Sequence, residues 1–288
     1  MPARCPFVCL LVVGLALTAL AAPATGAPRD PWDELEAVAR QSQRRTGRTS
    51  WRVLNTANFR VYYLSVEELA RRLAGRAERL RADLFRYWTD GAPPPRPWSD
   101  RCEIFVYASY RELVVMTGGA PKSGSARVRP SRLYRGRILS RRMDLHADDS
   151  ELLDATLPHE IAHLVLGDLL AGEVPMWANE GAATRAESAR KQRHYRRVLA
   201  RFLPRVYPLG VLLETRVYPE APFTRLFYAQ SASLVDLLLQ GGTPGDLIEF
   251  LALARRRGYD HALRRVYNLA GLEELQQLWR SSISRSPN

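Results

Sequence analysis

The chain has 288 residues, 46% of them of hydrophobic type, with 42 basic against 30 acidic side chains and a formal net charge of +12. That apolar share supports a substantial core, in one large domain or two closely packed lobes, and excludes long disorder as the main state of the chain. The basic surplus sits mostly on arginines spread along helical segments (Arg71, Arg72, Arg76, Arg79; Arg190, Arg193, Arg196, Arg197; Arg255 to Arg257), so a solvated basic surface is expected rather than a nucleic-acid partner. Its functional counterpart would be attraction to anionic wall polymers, lipid headgroups or acidic substrates.

At the N-terminus, Arg4 precedes an apolar run from Phe7 to Ala22 and a small-residue stretch ending Thr25-Gly26-Ala27. This predicts a secretory signal peptide over residues 1–27, cut after Ala21 or Ala27, and an exported, periplasmic or extracellular protein. Left uncleaved, the segment would act as a single membrane anchor. Cys5 and Cys9 leave with the signal. Cys102 is then alone, which excludes an intramolecular disulfide and a finger-type thiolate zinc site; its place in the alternation Cys102, Ile104, Val106 predicts a buried strand residue.

Residues 28–57 form a linker with one short helix, marked by the apolar trace Trp32-Leu35-Val38. Asn58 to Leu64 alternates as a strand, and Val66 to Trp88 places Leu69, Leu73, Leu80, Leu84 and Trp88 near helical spacing. Gly91 to Pro97, with four prolines, ends that helix in an extended loop. A strand at Cys102–Tyr107 and a helix at Tyr110–Met116 repeat the pattern. Gly118 to Pro130 lacks hydrophobic period and is expected as a loop, while Arg132 to Leu145 is expected as one or two sheet-edge strands. Beyond Asp148 nearly everything is helical, with Asp149 or Ser150 as the first N-cap. The fold class is therefore α+β: a mixed strand and helix lobe at 58–146, then a mostly helical lobe at 147–288.

Within the first helix of the second half stands His159-Glu160-Ile161-Ala162-His163. Residues four apart on a helix differ by about 40° in direction, so both imidazoles leave one face and can hold one metal ion, with Glu160 at the side where an activated water would lie. Ile161, Leu164 and Val165 fall on other faces, available to the core. An open tetrahedral site needs a third protein ligand. Glu180 is the candidate, with sixteen residues between it and His163, in Trp177-Ala178-Asn179-Glu180-Gly181, provided that Gly167 to Pro175 turns the chain back.

Together with Tyr228-Ala229-Gln230-Ser231 and the closing Gly271-Leu272-Glu273-Glu274-Leu275-Gln276-Gln277-Leu278-Trp279, these motifs resemble the gluzincin metallopeptidases, especially the peptidase MA-like extracytoplasmic proteins of bacteria. The resemblance runs from about Asp144 to the C-terminus. It implies a zincin-like fold, one zinc ion per chain held by His159, His163 and Glu180, and peptide-bond hydrolysis of a peptide or protein substrate with Glu160 as base. The ligand spacer is shorter than in the best-known gluzincin aminopeptidases, and no Gly-x-Met-Glu-Asn exopeptidase motif occurs, so endopeptidase action is expected.

Hydrolysis also needs a donor to the developing oxyanion. Tyr228 is the first candidate, against a core role beside Phe223 and Phe227; His194, among Arg193, Arg196 and Arg197, is the other. Thr184 falls on the Glu180 face and is a candidate partner for a ligand histidine. His146, in Asp144 to Asp149, fits either loop and capping chemistry or a second metal, and His261 is structural. The functional rivals are a catalytically silent zinc-containing domain that binds peptide or an anionic envelope polymer, and a nucleic-acid or lipid binder whose zinc is structural; weak contact with an anionic envelope or lipid surface is compatible with each.

Overall fold

In a computed structural model, the described residues are 51–118, 126–129, 133–134, 137–138 and 141–285; the expected signal segment and the helix near Trp32 lie outside them. Among the described residues no helix is long and apolar enough to cross a membrane.

The sheet is built on period-2 alternation. Strand β2 (Phe59–Tyr63) buries Phe59, Val61 and Tyr63, and β3 (Cys102–Tyr107) buries Cys102, Ile104 and Val106. The two pair in parallel, which requires a crossover, and α1 (Glu67–Trp88) supplies it. Its stripe Ala70, Leu73, Ala74, Ala77 and Leu80 is buried. After β3 the chain forms α2 (Tyr110–Thr117), opened by Ser109, whose side chain accepts from Glu112 N, and closed by Gly118 at φ 72°. The five-stranded order is β1 (Arg52–Asn55), β2, β3, β7 (Arg142–His146), β4 (Ala126–Arg129), with β1 and β4 antiparallel edges. A two-stranded hairpin, β5 (Leu133–Tyr134) with β6 (Arg137–Ile138), stands apart from it.

Three expectations are corrected here. β1 falls within the expected linker, and β4 within the expected Gly118–Pro130 loop. Both are only four residues long with two polar residues each, too short a run to mark a strand, and they join by backbone pairing at sheet edges. β7 is interior, not an edge. Its charges are satisfied internally: Arg142 Nη2 donates to Asp144 Oδ1 at 2.9 Å, and the Tyr107 hydroxyl donates to the same oxygen at 3.1 Å, so Asp144 sits fully buried without an exposed face.

The helical half opens with a π-helical turn at Leu152–Thr156 that runs into α3 (Leu157–Leu169). Then follow α4 (Met176–Ala186), α5 (Ala189–Phe202), α6 (Leu209–Glu214), α7 (Phe223–Gln240), α8 (Pro244–Arg257), the short α9 (Tyr259–Ala262) and α10 (Leu272–Arg285). One hydrophobic core runs through both halves, from Phe59 and Ile104 to Phe250 and Trp279. Helix α1 lies against β2, α3 and α8.

A polar knot fixes the far end of α3. Asp168 accepts from Arg141 Nη2 at 2.5 Å and from Trp98 Nε1 at 2.6 Å, while the guanidinium groups of Arg81 and Arg141 lie 4.5 and 4.3 Å from the Trp98 ring centre. A second tie joins the end of α1 to the start of α8, where Asp90 accepts from Thr243 Oγ1 at 2.7 Å and from Gly245 N at 3.1 Å.

Helix α4 packs on α7 at a distance that only a glycine allows. A Cβ at Gly181 would lie 2.5 Å from the Ser231 carbonyl oxygen and 2.8 Å from Val235 Cγ2. Gly181→Ala is therefore expected to lose about 1–3 kcal/mol in urea unfolding, and unchanged stability would show that α4 and α7 can separate at no cost.

Candidate metal centre

Pro158 stands at the start of α3, just after the π-helical turn that feeds it. Just upstream, Asp149 accepts from Glu151 N at 2.9 Å and from Thr156 Oγ1 at 2.5 Å, so the expected capping residue ties down the turn that feeds the helix. Ile161, Leu164 and Val165 are buried in the core. With that face committed, His159 and His163 project together from another, their ring centres 4.7 Å apart and edge to face.

The segment between α3 and α4 reverses through Ala171 (φ 52°) and Gly172 (φ 78°), and Gly172 N donates to Gly167 O at 2.7 Å. Helix α4 returns beside α3 and carries Glu180 to the histidine pair. Its Oε2 lies 3.4 Å from His159 Nε2 and 3.8 Å from His163 Nε2. Tetrahedral coordination with bonds of about 2.0–2.1 Å puts ligand atoms about 3.3–3.4 Å apart, so the three donors are spaced to hold one ion. Glu180 is 2% exposed, and its Oε2 has no hydrogen-bond partner. A buried carboxylate oxygen left unpaired costs heavily unless a cation faces it. Three donors are present where four close a structural site, and the two histidine side chains are 13% and 14% exposed, so the centre is open on one side. It is the single cluster of this kind among the described residues.

Glu187, in extended backbone just past α4, completes the orientation of His159. Its Oε1 lies 2.8 Å from His159 Nδ1 and can only accept, so Nδ1 carries the proton and Nε2 is left to face Glu180. Sequence reasoning named Thr184 for this role. Thr184 is buried, but its hydroxyl has no partner. Glu187 lies past the helix end in extended backbone, so helical spacing from Glu180 gave no signal for it. His163 has no such support, its Nδ1 being buried without a partner.

The Tyr218 hydroxyl donates to Glu180 Oε1, the carboxylate oxygen not aimed at the histidines. Tyr218 comes from the loop before α7, and nothing in its sequence neighbourhood marked it. Tyr228, on α7, has its ring centre 6.5 Å from His159, 6.1 Å from Tyr218 and 6.3 Å from Tyr195 of α5. It also packs edge-on to Phe227, so the packing and site roles coincide, whereas Phe223 is largely exposed. Burial first, and nearby carboxylates second, push all three phenols up, so each keeps its proton and remains a donor.

His194 is exposed and stacks edge-on against Tyr195 rather than near the histidine pair. His146 Nδ1 pairs with the Asp148 carboxylate, which also accepts from Tyr110 N at 3.0 Å; this is loop and capping chemistry. His261 is exposed on α9.

Charges in the centre pull against its burial. Glu160 is buried, and burial pushes its carboxyl up. Burial works against a proton on His159, yet the facing carboxylates of Glu180 and Glu187 hold it well above the ordinary imidazole range. Burial would raise Glu180 too, but His163 and His159 together bring it down to about 2.

No protein-family model matches the chain, and no curated protein matches its sequence.

The metal-free centre thus has a defined pH response. A raised His159 stabilises the fold below its unfolded value of 6.5 and loses that contribution as pH rises through the folded value. Glu180, lowered, contributes above 4.5 and loses it as pH falls through about 2. A metal ion takes the place of the His159 proton. Zinc is therefore expected to raise the thermal midpoint more at about pH 8 than at about pH 6, with protons released on uptake. Calorimetry in two buffers of different ionisation enthalpy reads the release, and equal enthalpies in both would count against metal at these imidazoles. In the same assay His163→Ala should abolish binding, while Glu187→Ala should weaken it by about 10- to 100-fold.

Proposed function

We propose that the protein is an exported, zinc-dependent peptidase of the gluzincin type, acting as an endopeptidase on a peptide or protein substrate. The observation that carries this reading is the convergence of His159, His163 and Glu180 on one open position beside Glu160, a buried carboxylate outside the donor set. Two nitrogens and one carboxylate oxygen at tetrahedral spacing suit zinc. Bound there, zinc would supply an acidified water and polarise the scissile carbonyl.

The chain's own residues do the rest. Glu160, its carboxyl pushed up by burial, takes the proton of the attacking water and returns it to the leaving amine. Glu187 holds the His159 ring in one orientation, and Tyr218 holds the second oxygen of Glu180, so the donors are fixed before substrate arrives. Tyr228 keeps its phenolic proton and lies beside His159, which suits it to donate to the carbonyl oxygen as charge develops there. The surrounding rings of Tyr195 and Phe227 keep that side of the centre apolar, where such hydrogen bonds are stronger than in water. The expected signal segment and the missing exopeptidase motif support export and endopeptidase action.

Glu160→Gln should keep stoichiometric zinc and lose cleavage of a mixed quenched-peptide library, while Tyr228→Phe should lower kcat by about 10²- to 10³-fold with little change in KM. Zinc in both parent and Glu160→Gln with cleavage in neither would turn the reading to a silent zinc-containing binding domain.

A further inference from the structure

Beyond Tyr228 and Tyr195, on α5 and the start of α7, lies a second feature that the proposed chemistry does not use. A cavity of about 810 Å³ is lined by side chains of α5, the turn after it and the start of α7. Val198, Phe202 and Pro222 give it apolar lining, while Arg201, Arg205, Arg225 and His194 bring cationic or ionisable groups to the same volume. Among the described residues none of the three guanidinium groups has a carboxylate within ion-pairing distance, whereas Arg185, Arg190 and Arg255 all do. Three like charges gathered round one concave, partly apolar volume leave a local positive potential with no internal counter-ion.

Its position relative to the histidine pair follows from the ring contacts. His194 is 5.6 Å from Tyr195, Tyr195 is 6.3 Å from Tyr228, and Tyr228 is 6.5 Å from His159, centre to centre. Arg225 precedes Tyr228 by three residues on α7, so the two share a face of that helix. An extended peptide rising about 3.3 Å per residue covers the path from His159 to His194 in no more than about six residues.

We propose that this cavity is a specificity pocket for a peptide carboxylate, selecting substrates that carry an acidic side chain or a free C-terminus within about six residues of the bond cleaved. The inference rests on the peptidase reading above. A half-open concavity of this size accommodates one carboxylate-bearing side chain with an apolar neighbour, and planar guanidinium groups match a carboxylate with paired N–H donors. A polyanion such as nucleic acid would need a longer basic track. The shared ligand chemistry is the carboxylate, and amidated against free C-termini separates its two sources.

The test uses the zinc-loaded protein and matched quenched peptides in which glutamate replaces glutamine at successive positions, each with a free or an amidated end. The parent should show a kcat/KM ratio of about tenfold or more for glutamate over glutamine at one or two positions, or for free over amidated ends. The combined Arg201→Gln, Arg205→Gln and Arg225→Gln variant should bring that ratio close to one. All three arginines are exposed, so none of these changes touches the core, and Arg205→Gln alone should halve the ratio or more. Fluorescein-labelled versions of the same peptides, bound to the Glu160→Gln protein and read by anisotropy, report the pocket without cleavage. A charge preference in binding with no cleavage by the parent would sustain the pocket while the peptidase reading fails. Cleavage with no charge preference in either assay would overturn the pocket and leave the peptidase. Binding to phosphatidylglycerol–phosphatidylcholine vesicles that is lost in the triple variant, with no peptide preference in the parent, would also overturn it, in favour of a lipid headgroup.

Discussion

Everything at the metal centre depends on how closely α4 can approach α7. Glu180 reaches the histidine pair because the helix that bears it is pressed between α3 and α7, and the press holds only because position 181 has no side chain. Ser231 and Val235 on α7 form the wall, and their neighbour Tyr228 projects from the same helix toward His159. A single contact therefore sets the reach of the third ligand and the placing of the candidate oxyanion donor. Gln230 extends the same register: fully buried, it accepts from Tyr207 N at 2.9 Å and donates to Tyr207 O at 2.6 Å, holding the chain between α5 and α6 against α7.

The electrostatics of the centre are those of a site built for a cation. Glu160, Glu180 and Glu187 are all buried within reach of two imidazoles. Gathering three carboxylates in an apolar interior is unfavourable unless positive charge accompanies them. In the metal-free chain a proton on His159 fills part of that need, which is why its affinity for the proton is raised even against burial. A divalent ion would fill it more fully, and its binding would then be coupled to the stability of the α3–α4 pair. The tyrosines add direction without charge, since each phenol keeps its proton.

Much of this was legible in the residues, for a physical reason. The HExxH spacing is a statement about helix geometry, so it placed His159, Glu160 and His163 without any tertiary information. The alternating runs at Phe59–Tyr63 and Cys102–Tyr107 and the periodic stretch at Glu67–Trp88 are similarly self-contained. What escaped was set by distant partners. β1 and β4 are four-residue strands at sheet edges, too short for their pattern to mark them, and β7 is interior because Arg142, Asp144 and Tyr107 satisfy one another across 37 residues of chain. Glu187 lies beyond the last helical residue and reaches His159 through a bend that no spacing rule describes, while Tyr218 meets Glu180 from a loop. Thr184 satisfied the spacing rule and failed on contact. Periodicity marks the face on which a side chain emerges, but not what it meets there.

The composition shift near Ala147 marks a change of secondary structure, not a seam. The core is continuous across it, and two polar ties span it: Asp168 with Arg141 and Trp98, and Asp90 with Thr243 and Gly245. Arg141 and Asp168 are largely buried, so neither half could hold that pair alone without leaving a charge unanswered. A chain severed at Ala147 would behave as two complementary pieces of a single cooperative unit, each needing the other as template, rather than as a pair of autonomous modules.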